Sequence, residues 1–125
     1  MSVSETDRRQ IEAVVADYVE GMVLADEPRL RRAFHPKACS IGHFGGALEW
    51  EQLDAFIAGV KAAFDPSSGV APRWEIQDLE VTGDTALVRV EDDYVGYRFI
   101  DTLTLLRHDG RWQIVAKVFW VAGEV

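Results

Sequence analysis

The sequence contains a single cysteine, Cys39, so it cannot form an internal disulfide. Small secreted domains commonly depend on disulfides, and one thiol does not support oxidising export. The first seven residues have neither the basic segment nor the apolar segment of an export signal. No apolar run approaches the length needed to span a bilayer. These absences predict a cytoplasmic protein without a membrane segment.

Basic residues are in deficit, with 13 Lys and Arg against 21 Asp and Glu, for a net charge of −8. A negative field repels phosphate backbones and anionic lipid headgroups, so we expect neither a nucleic-acid nor a membrane partner. The 3 histidines are scattered, with no two at ligand spacing, and Cys39 has no second thiol. A Gly-rich phosphate loop, a nucleophile elbow and a Cys-x-x-Cys pair are all missing. The sequence therefore predicts no metal and no cofactor.

The composition is that of an ordinary globular domain. The chain has 125 residues, of which 48% are hydrophobic and 27% are charged. This length is typical of one domain and can bury one core with a modest cavity. Repeats, low-complexity tracts and long linkers are lacking. We therefore expect a single domain over residues 1–125.

Helical periodicity covers most of the first half. Ser4 with Asp7 fits a helix start, and the following helix runs to about Leu24. Its apolar face is formed by Ile11, Val14, Val15, Tyr18 and Met22. A second, short helix is predicted from Pro28 to about Phe34, capped by Asp26 and ended by His35-Pro36.

The rest of the chain combines a third helix with strands. We expect a short strand from Cys39 to His43 and a helix from Trp50 to Phe64. From Arg73 the apolar period becomes two, with a slip near Asp78 that indicates a bulge. Turn signals occur at residues 82–84, 95–96 and 108–110, and the last strand runs from about Trp112 to about Val121. Such short connections favour antiparallel neighbours, which predicts an α+β fold with helices covering one face of a curved antiparallel sheet.

Several segments carry a resemblance to a known family. They are Tyr18-Val19-Glu20-Gly21 with Asp26, Phe34-His35-Pro36, Gly46-Ala47-Leu48, and the run from Phe99 to Phe119. In these motifs and in element order the chain resembles the nuclear transport factor 2-like superfamily, and within it the putative lumazine-binding subfamily. The resemblance implies a cone-shaped fold and a homodimer packed through the sheet. The last strand is apolar on both faces, which also favours a dimer.

Two polar residues are predicted on apolar faces. Tyr18 lies on the apolar face of helix 1, as a core tyrosine or as a donor to a ligand. Asp101 shares a strand face with Phe99, Leu103 and Leu105, where a carboxylate must be paired or protonated. Its partner could be Lys117, Arg98 or a backbone amide, or it could act in acid–base chemistry.

The same two residues resemble the oxyanion pair of ketosteroid isomerases, which use a helix 1 tyrosine and a protonated strand aspartate. The aspartate base of those enzymes has no counterpart, because Ile41-Gly42-His43 occupies its expected region. His43 is the nearby replacement for a base, and its alternative is a partly exposed loop residue. Lys117, which alternates with Val115 and Phe119, is either a pocket cation or an exposed lysine. One of Asp92 and Asp93 should face the pocket, because adjacent strand residues point to opposite faces.

Three functions remain open from the sequence. The first is a pocket that binds a small apolar or aromatic ligand. Its candidate lining residues are Met22, Phe34, Phe44, Phe56, Trp74, Tyr94, Lys117 and Trp120. The second is a cofactor-independent isomerase, cyclase or dehydratase with Tyr18, Asp101 and His43 as catalytic residues. The third is a dimeric interaction module that uses the outer face of the sheet.

Overall fold

The structure is a computed structural model that describes residues 3–125. It consists of three helices and six strands, and the helices pack on one face of a single sheet. The elements are α1 (Glu5–Val23), α2 (Glu27–Ala33), β1 (Phe34–Phe44), β2 (Ala47–Gln52), α3 (Leu53–Ala63), β3 (Trp74–Thr82), β4 (Thr85–Tyr94), β5 (Tyr97–His108) and β6 (Arg111–Glu124). The α+β class predicted from the sequence is confirmed.

The first two helices begin at the predicted caps. The hydroxyl of Ser4 accepts a hydrogen bond of 3.0 Å from the backbone N–H of Asp7. A carboxylate oxygen of Asp26 accepts one of 3.2 Å from the N–H of Arg29. Such caps satisfy backbone donors that have no partner within the helix. None of the helices in the described part of the chain has the length and apolar character needed to cross a bilayer.

The sheet has the order β2-β1-β6-β5-β4-β3, and it departs from the expected all-antiparallel arrangement at one pair. β1 runs parallel to β6, and α3 and four strands intervene between them in the chain. β1 is also longer than the predicted strand from Cys39 to His43. The predicted third helix began too early: Trp50 belongs to β2, where it pairs with Ile41 of β1.

Two bulges set which side chains face the helices. The register of β3 shifts between Ile76 and Asp78, which confirms the predicted slip. In β6, Ile114 and Ala116 oppose consecutive residues of β5, so Val115 is an extra residue. Beyond this bulge the alternation changes face, which puts Lys117 and Phe119 toward the helices. The sequence analysis placed Lys117 on one face with Val115 and Phe119, and the bulge separates Val115 from the other two.

The two faces of the sheet differ in burial. The helix-covered face contributes the core, together with the inner faces of the helices. The opposite face, which we call the outer face, exposes large apolar side chains: Trp50 is 67% exposed, Trp120 65% and Val118 49%. The core therefore lies between the helices and the sheet, and any enclosed site must lie there too.

Candidate functional site

A hydrogen bond joins the first helix to the middle of the sheet. The hydroxyl of Tyr18 donates to Oδ2 of Asp101 at 2.6 Å, and both residues are fully buried. Burial and the neighbouring Asp101 carboxylate raise the pKa of Tyr18 well above its ordinary value, so the hydroxyl stays a donor. The predicted pair is thus in contact, and Tyr18 is the hydrogen-bond partner of Asp101.

A second buried carboxyl, Asp92, lies beside this pair. Within residues 3–125, neither of its side-chain oxygens has a hydrogen-bond partner, nor does Oδ1 of Asp101. Burial and the neighbouring Asp101 carboxyl raise the pKa of Asp92 to about 10. If Asp92 and Asp101 were both ionised, each could only accept hydrogen bonds. A proton on Asp92 supplies a donor to these two carboxyl groups. The adjacent Asp93 points to the other face of the sheet and is not part of the site. It forms an ion pair with Arg98 at 2.9 Å.

Lys117 is the buried cation of this region, with 5% of its surface exposed. Its Nζ lies 4.4 Å from the ring centre of Phe56, 4.9 Å from that of Tyr18 and 5.3 Å from that of Phe119. Such distances allow cation–π attraction. Its remaining polar contact is with the sulfur of Met22 at 4.0 Å, and no carboxylate of the described residues forms an ion pair with it.

A cavity of about 180 Å³ opens between α3 and the helix-covered face of the sheet, and Lys117 is part of its wall. Aromatic rings form much of this wall. Phe44 stacks with Phe99 at 6.2 Å between ring centres, and Phe99 meets Phe119 edge-on at 5.8 Å. The lining residues are Ser40, Phe44, Glu49, Phe56, Gly59, Val60, Ala63, Tyr94, Val95, Phe99, Lys117 and Phe119.

Carboxylates reach the same cavity from the edge strand β2. Glu49 lines the cavity, and Glu51 lies on the same face of β2 two residues away. Burial and the charge of Glu49 raise the pKa of Glu51. Burial and Glu49 also raise the pKa of Tyr94 to about 12. The cavity is therefore apolar in most of its wall and negative at one side.

Four of the residues predicted to line a pocket do line this cavity, namely Phe44, Phe56, Tyr94 and Lys117. Four others lie elsewhere. Phe34 is fully buried and packs edge-on against Tyr18 at 5.5 Å. Trp74 donates a hydrogen bond to Glu20 at 3.4 Å. Met22 lines a second cavity of about 500 Å³. Trp120 is exposed on the outer face.

The three residues predicted as catalytic do not meet at one point. Tyr18 and Asp101 lie beneath the cavity wall, behind Lys117, and they bond to each other. His43 is exposed on the outer face. It lies two residues from Ile41 on β1, so the two side chains point to the same face of the sheet. The sheet thus separates His43 from the cavity, which corrects the expectation that it stands near the pair.

Several residues of the site were not predicted. Ser40 lies inside the predicted strand from Cys39 to His43, but its residue type gave no sign of a site. Glu49 was missed because the sequence of β2 was interpreted as the approach to a helix. The sequence analysis did not choose between Asp92 and Asp93 as the residue that faces the pocket. The alternation of Ala86, Val88 and Val90 indicates Asp92, which lies on the same face of β4. Among residues 3–125 there is no group of three His, Cys, Asp or Glu that could hold a metal.

Comparison with known proteins places this geometry in a family. The sequence profile of the family described as "Putative lumazine-binding" matches residues 6–120. The crystal structure of an NTF2-like protein of unknown function from Silicibacter pomeroyi DSS-3 is similar, with a TM-score of 0.89 and 40% identity, over 96% of this chain and 99% of that one. An NTF2-like protein of unknown function from Shewanella baltica OS155 has a TM-score of 0.85 and 25% identity, over 99% and 100% of the two chains.

A relative with a named activity is more distant in sequence. The chain is 29% identical over 116 residues to aldolase FrzH of a Cladobotryum species. The aligned region covers 88% of this chain and 90% of that protein. The two proteins are therefore similar over most of their length.

Proposed function

The chain belongs to the "Putative lumazine-binding" family, and we propose that it binds a small, largely apolar ligand in the cavity beside Lys117. The observation that carries the proposal is the wall itself. Aromatic rings line most of the cavity, and a buried amine without an ion-pair partner within residues 3–125 stands among them. Ligand sites combine apolar walls with a few polar groups that fix orientation.

The volume of the cavity sets the size of the ligand. An apolar cavity of about 150 Å³ is large enough for benzene. The observed cavity of about 180 Å³ therefore suits one six-membered ring with a small polar substituent. Lys117 would donate a hydrogen bond to an oxygen of that substituent, and the rings of Phe99 and Phe119 would pack on the apolar part.

A second candidate function is acid–base catalysis without a cofactor, such as isomerisation, cyclisation, dehydration or an aldol reaction. Its support is the buried acid pair of Asp92 and Asp101 beside Lys117, and the similarity to a protein named an aldolase. An aldol reaction, or an isomerisation through an enolate, removes a proton next to a carbonyl and needs stabilisation of the charge on the carbonyl oxygen. In this chain Glu49 would take the proton, since His43 lies on the outer face, and Lys117 would stabilise the oxygen.

We also propose that the outer face forms a homodimer. Its exposed apolar side chains include Trp50, Val118 and Trp120. Large exposed apolar patches commonly mark interfaces. A dimer of this kind would leave the cavity free, because the cavity opens on the helix-covered face.

A matched pair of tryptophan variants tests the binding site. Gly59 lies on α3 at the cavity wall, and a Cβ added there would meet nothing within 4 Å. Gly59→Trp should place an indole ring in the mouth of the cavity and abolish ligand binding. Ala58→Trp is the control, because Ala58 is exposed on the same helix and does not line the cavity.

Binding is measured by calorimetry with small aromatic alcohols, aldehydes and ketones as probes. The proposal expects at least one probe to bind the parent protein and Ala58→Trp equally, and Gly59→Trp weakly or not at all. Equal binding to all three proteins would place the ligand outside this cavity and reject the proposal. Turnover of a bound carbonyl probe would distinguish the catalytic candidate from the simple binder.

A further inference from the structure

We infer that Nζ of Lys117 forms a Schiff base with an aldehyde or ketone held in the cavity. The inference rests on the proposed ligand-binding function and names the class of ligand. The sequence predicted Lys117 as a pocket cation or an exposed lysine, and the covalent role is new.

The amine of Lys117 is buried without an ion-pair partner among residues 3–125. A buried lysine usually has a carboxylate partner, because burying an unpaired charge is costly. Across the described residues, Lys117 has no such partner, and its neighbours are three aromatic rings and the sulfur of Met22. No oxygen acceptor holds Nζ in place, so it is free to approach a carbonyl carbon. Lysines that act as nucleophiles are commonly desolvated in apolar pockets of this kind.

A ligand in the cavity can reach Lys117, which the protein otherwise buries. Lys117 is 5% exposed, yet it forms part of the wall of the cavity of about 180 Å³. The exposed lysines differ from it in both respects. Lys61 lies on the surface in an ion pair of 2.9 Å with Glu27, and Lys37 is exposed on β1. A carbonyl compound that enters the cavity therefore meets one amine at a fixed position, which raises the effective concentration of the reacting groups.

Carboxylates lie along one side of the cavity. Glu49 lines the cavity from β2, and Glu51 lies on the same face of that strand. Burial and the charge of Glu49 raise the pKa of Glu51, whereas the charge of Lys117 lowers it. An anionic ligand would meet the carboxylates of Glu49 and Glu51, so a neutral carbonyl group is the better match for the amine.

The reaction uses groups that the cavity provides. The ammonium first gives a proton to a carboxylate such as Glu49, directly or through water. The neutral amine then adds to the carbonyl carbon, and a proton passes from nitrogen to the carbonyl oxygen, which gives a carbinolamine. The protonated carboxyl returns its proton to the new hydroxyl, which leaves as water while the nitrogen lone pair forms the C=N bond. The net change is ammonium plus carbonyl to protonated imine plus water, with no redox co-reactant.

The lining also favours survival of the product. An imine is hydrolysed by water, and the rings of Tyr18, Phe56 and Phe119 around Nζ limit the access of water to it. The protonated imine would remain within reach of the cation–π contacts that the ammonium makes.

Reductive trapping tests the inference, since the chain contains 3 lysines that peptide mapping can resolve, namely Lys37, Lys61 and Lys117. The protein is incubated with benzaldehyde and sodium cyanoborohydride, and the benzyl adduct on each lysine is quantified over time. Lys117 should be labelled at least about tenfold faster than Lys37, because the bound carbonyl is held beside its amine. A Lys37→Arg, Lys61→Arg double variant should keep the rapid labelling, and Lys117→Arg should lose it.

The binding variants make the outcome specific. Gly59→Trp should block the labelling of Lys117 and leave that of Lys37 unchanged, whereas Ala58→Trp should change neither. Benzaldehyde binding without reductant is measured by calorimetry on the same proteins. Binding that Gly59→Trp abolishes, with Lys117 labelled no faster than Lys37, would overturn the Schiff base and leave the pocket intact. The loss of both cavity binding and labelling would overturn both proposals.

Discussion

The hydroxyl of Tyr18 donates a hydrogen bond of 2.6 Å to Oδ2 of Asp101, and so connects α1 with β5 across 83 positions of the chain. The same tyrosine ring lies 4.9 Å from Nζ of Lys117, which reaches the cavity. Tyr18 therefore contacts both the buried carboxyl of Asp101 and the amine of Lys117. Substitutions at Tyr18 should reduce the stability of the protein, because the bond to Asp101 is lost. They should also alter ligand binding, because the tyrosine ring contacts Lys117.

Removing the hydroxyl of Tyr18 should destabilise the protein. Tyr18→Phe leaves Oδ2 of Asp101 buried without its donor, so the free energy of unfolding should fall by about 1.5–3 kcal/mol. Tyr97→Phe is the control, because Tyr97 is half-buried and has no side-chain hydrogen bond among the described residues. Urea unfolding measures both. A loss for Tyr18→Phe no larger than that for Tyr97→Phe would contradict the assigned bond.

Asp92 should make stability depend on pH. Its pKa of about 10 in the folded protein exceeds the ordinary value of 3.8, so the folded state keeps a proton that the unfolded chain releases. The stability that this proton confers is fully present below about pH 4 and is lost as the pH rises toward 10, by up to about 1.4 kcal/mol per pH unit. Asn mimics the protonated carboxyl, so Asp92→Asn should remove this slope.

The neighbouring Asp93 is the matched control for that experiment. Hydrogen bonds from Arg98 lower the pKa of Asp93, so its contribution is lost as the pH falls. Thermal unfolding from acidic to alkaline pH should show Asp92→Asn gaining on the parent as the pH rises, and Asp93→Asn not doing so. A parallel pH profile for Asp92→Asn and the parent would show that Asp92 is ionised when folded.

A glycine on β1 supports the cavity wall. A Cβ at Gly42 would lie 2.6 Å from the backbone oxygen of Phe119 and 2.7 Å from its ring. Gly42→Ala should therefore displace Phe119, cost about 1–3 kcal/mol of stability and weaken ligand binding. Gly59→Ala on α3 meets open space and should stabilise the helix by about 0.5–1 kcal/mol. Chemical denaturation distinguishes the two, and equal stabilities would refute the close contact.

The proposed dimer is tested at the exposed tryptophans. Trp50→Lys with Trp120→Lys places two charges on the outer face, and we expect the double variant to be monomeric where the parent is dimeric. Val70→Lys is the control, since Val70 is 64% exposed but lies outside the sheet. Light scattering after size exclusion gives the masses. A monomeric parent protein, or a dimeric double variant, would reject this interface.

Local signals were sufficient for most of the fold. The caps Ser4 and Asp26 and the bulge near Asp78 follow from residue types and periodicity, and the structure confirms all three. Strand β2 could not be predicted in this way. Its apolar residues, Leu48 and Trp50, are exposed, and its structure depends on pairing with β1 rather than on a buried face of its own.

Only part of the site could be predicted, because the register of the strands determines which residues face the helices. The sequence does not specify the face on which Lys117 lies, because the extra residue Val115 changes which side chains of β6 face the helices, and such a bulge depends on the partner strand. The position of His43 depends on which face of the sheet the helices cover, and alternation within one strand does not specify that. Tyr18 and Asp101 could be predicted on apolar faces, but their mutual bond required the tertiary structure.

The most direct test of the central claim is a crystal structure of the protein soaked with 4-bromobenzaldehyde. Anomalous scattering locates the bromine, and the electron density gives the orientation of the ring. We expect the ring between Phe56 and Phe119, with the carbonyl carbon next to Nζ of Lys117 and the bromine toward Gly59. A cavity filled by side chains, or the compound bound elsewhere with this cavity empty, would contradict the claim that the cavity beside Lys117 is the ligand site.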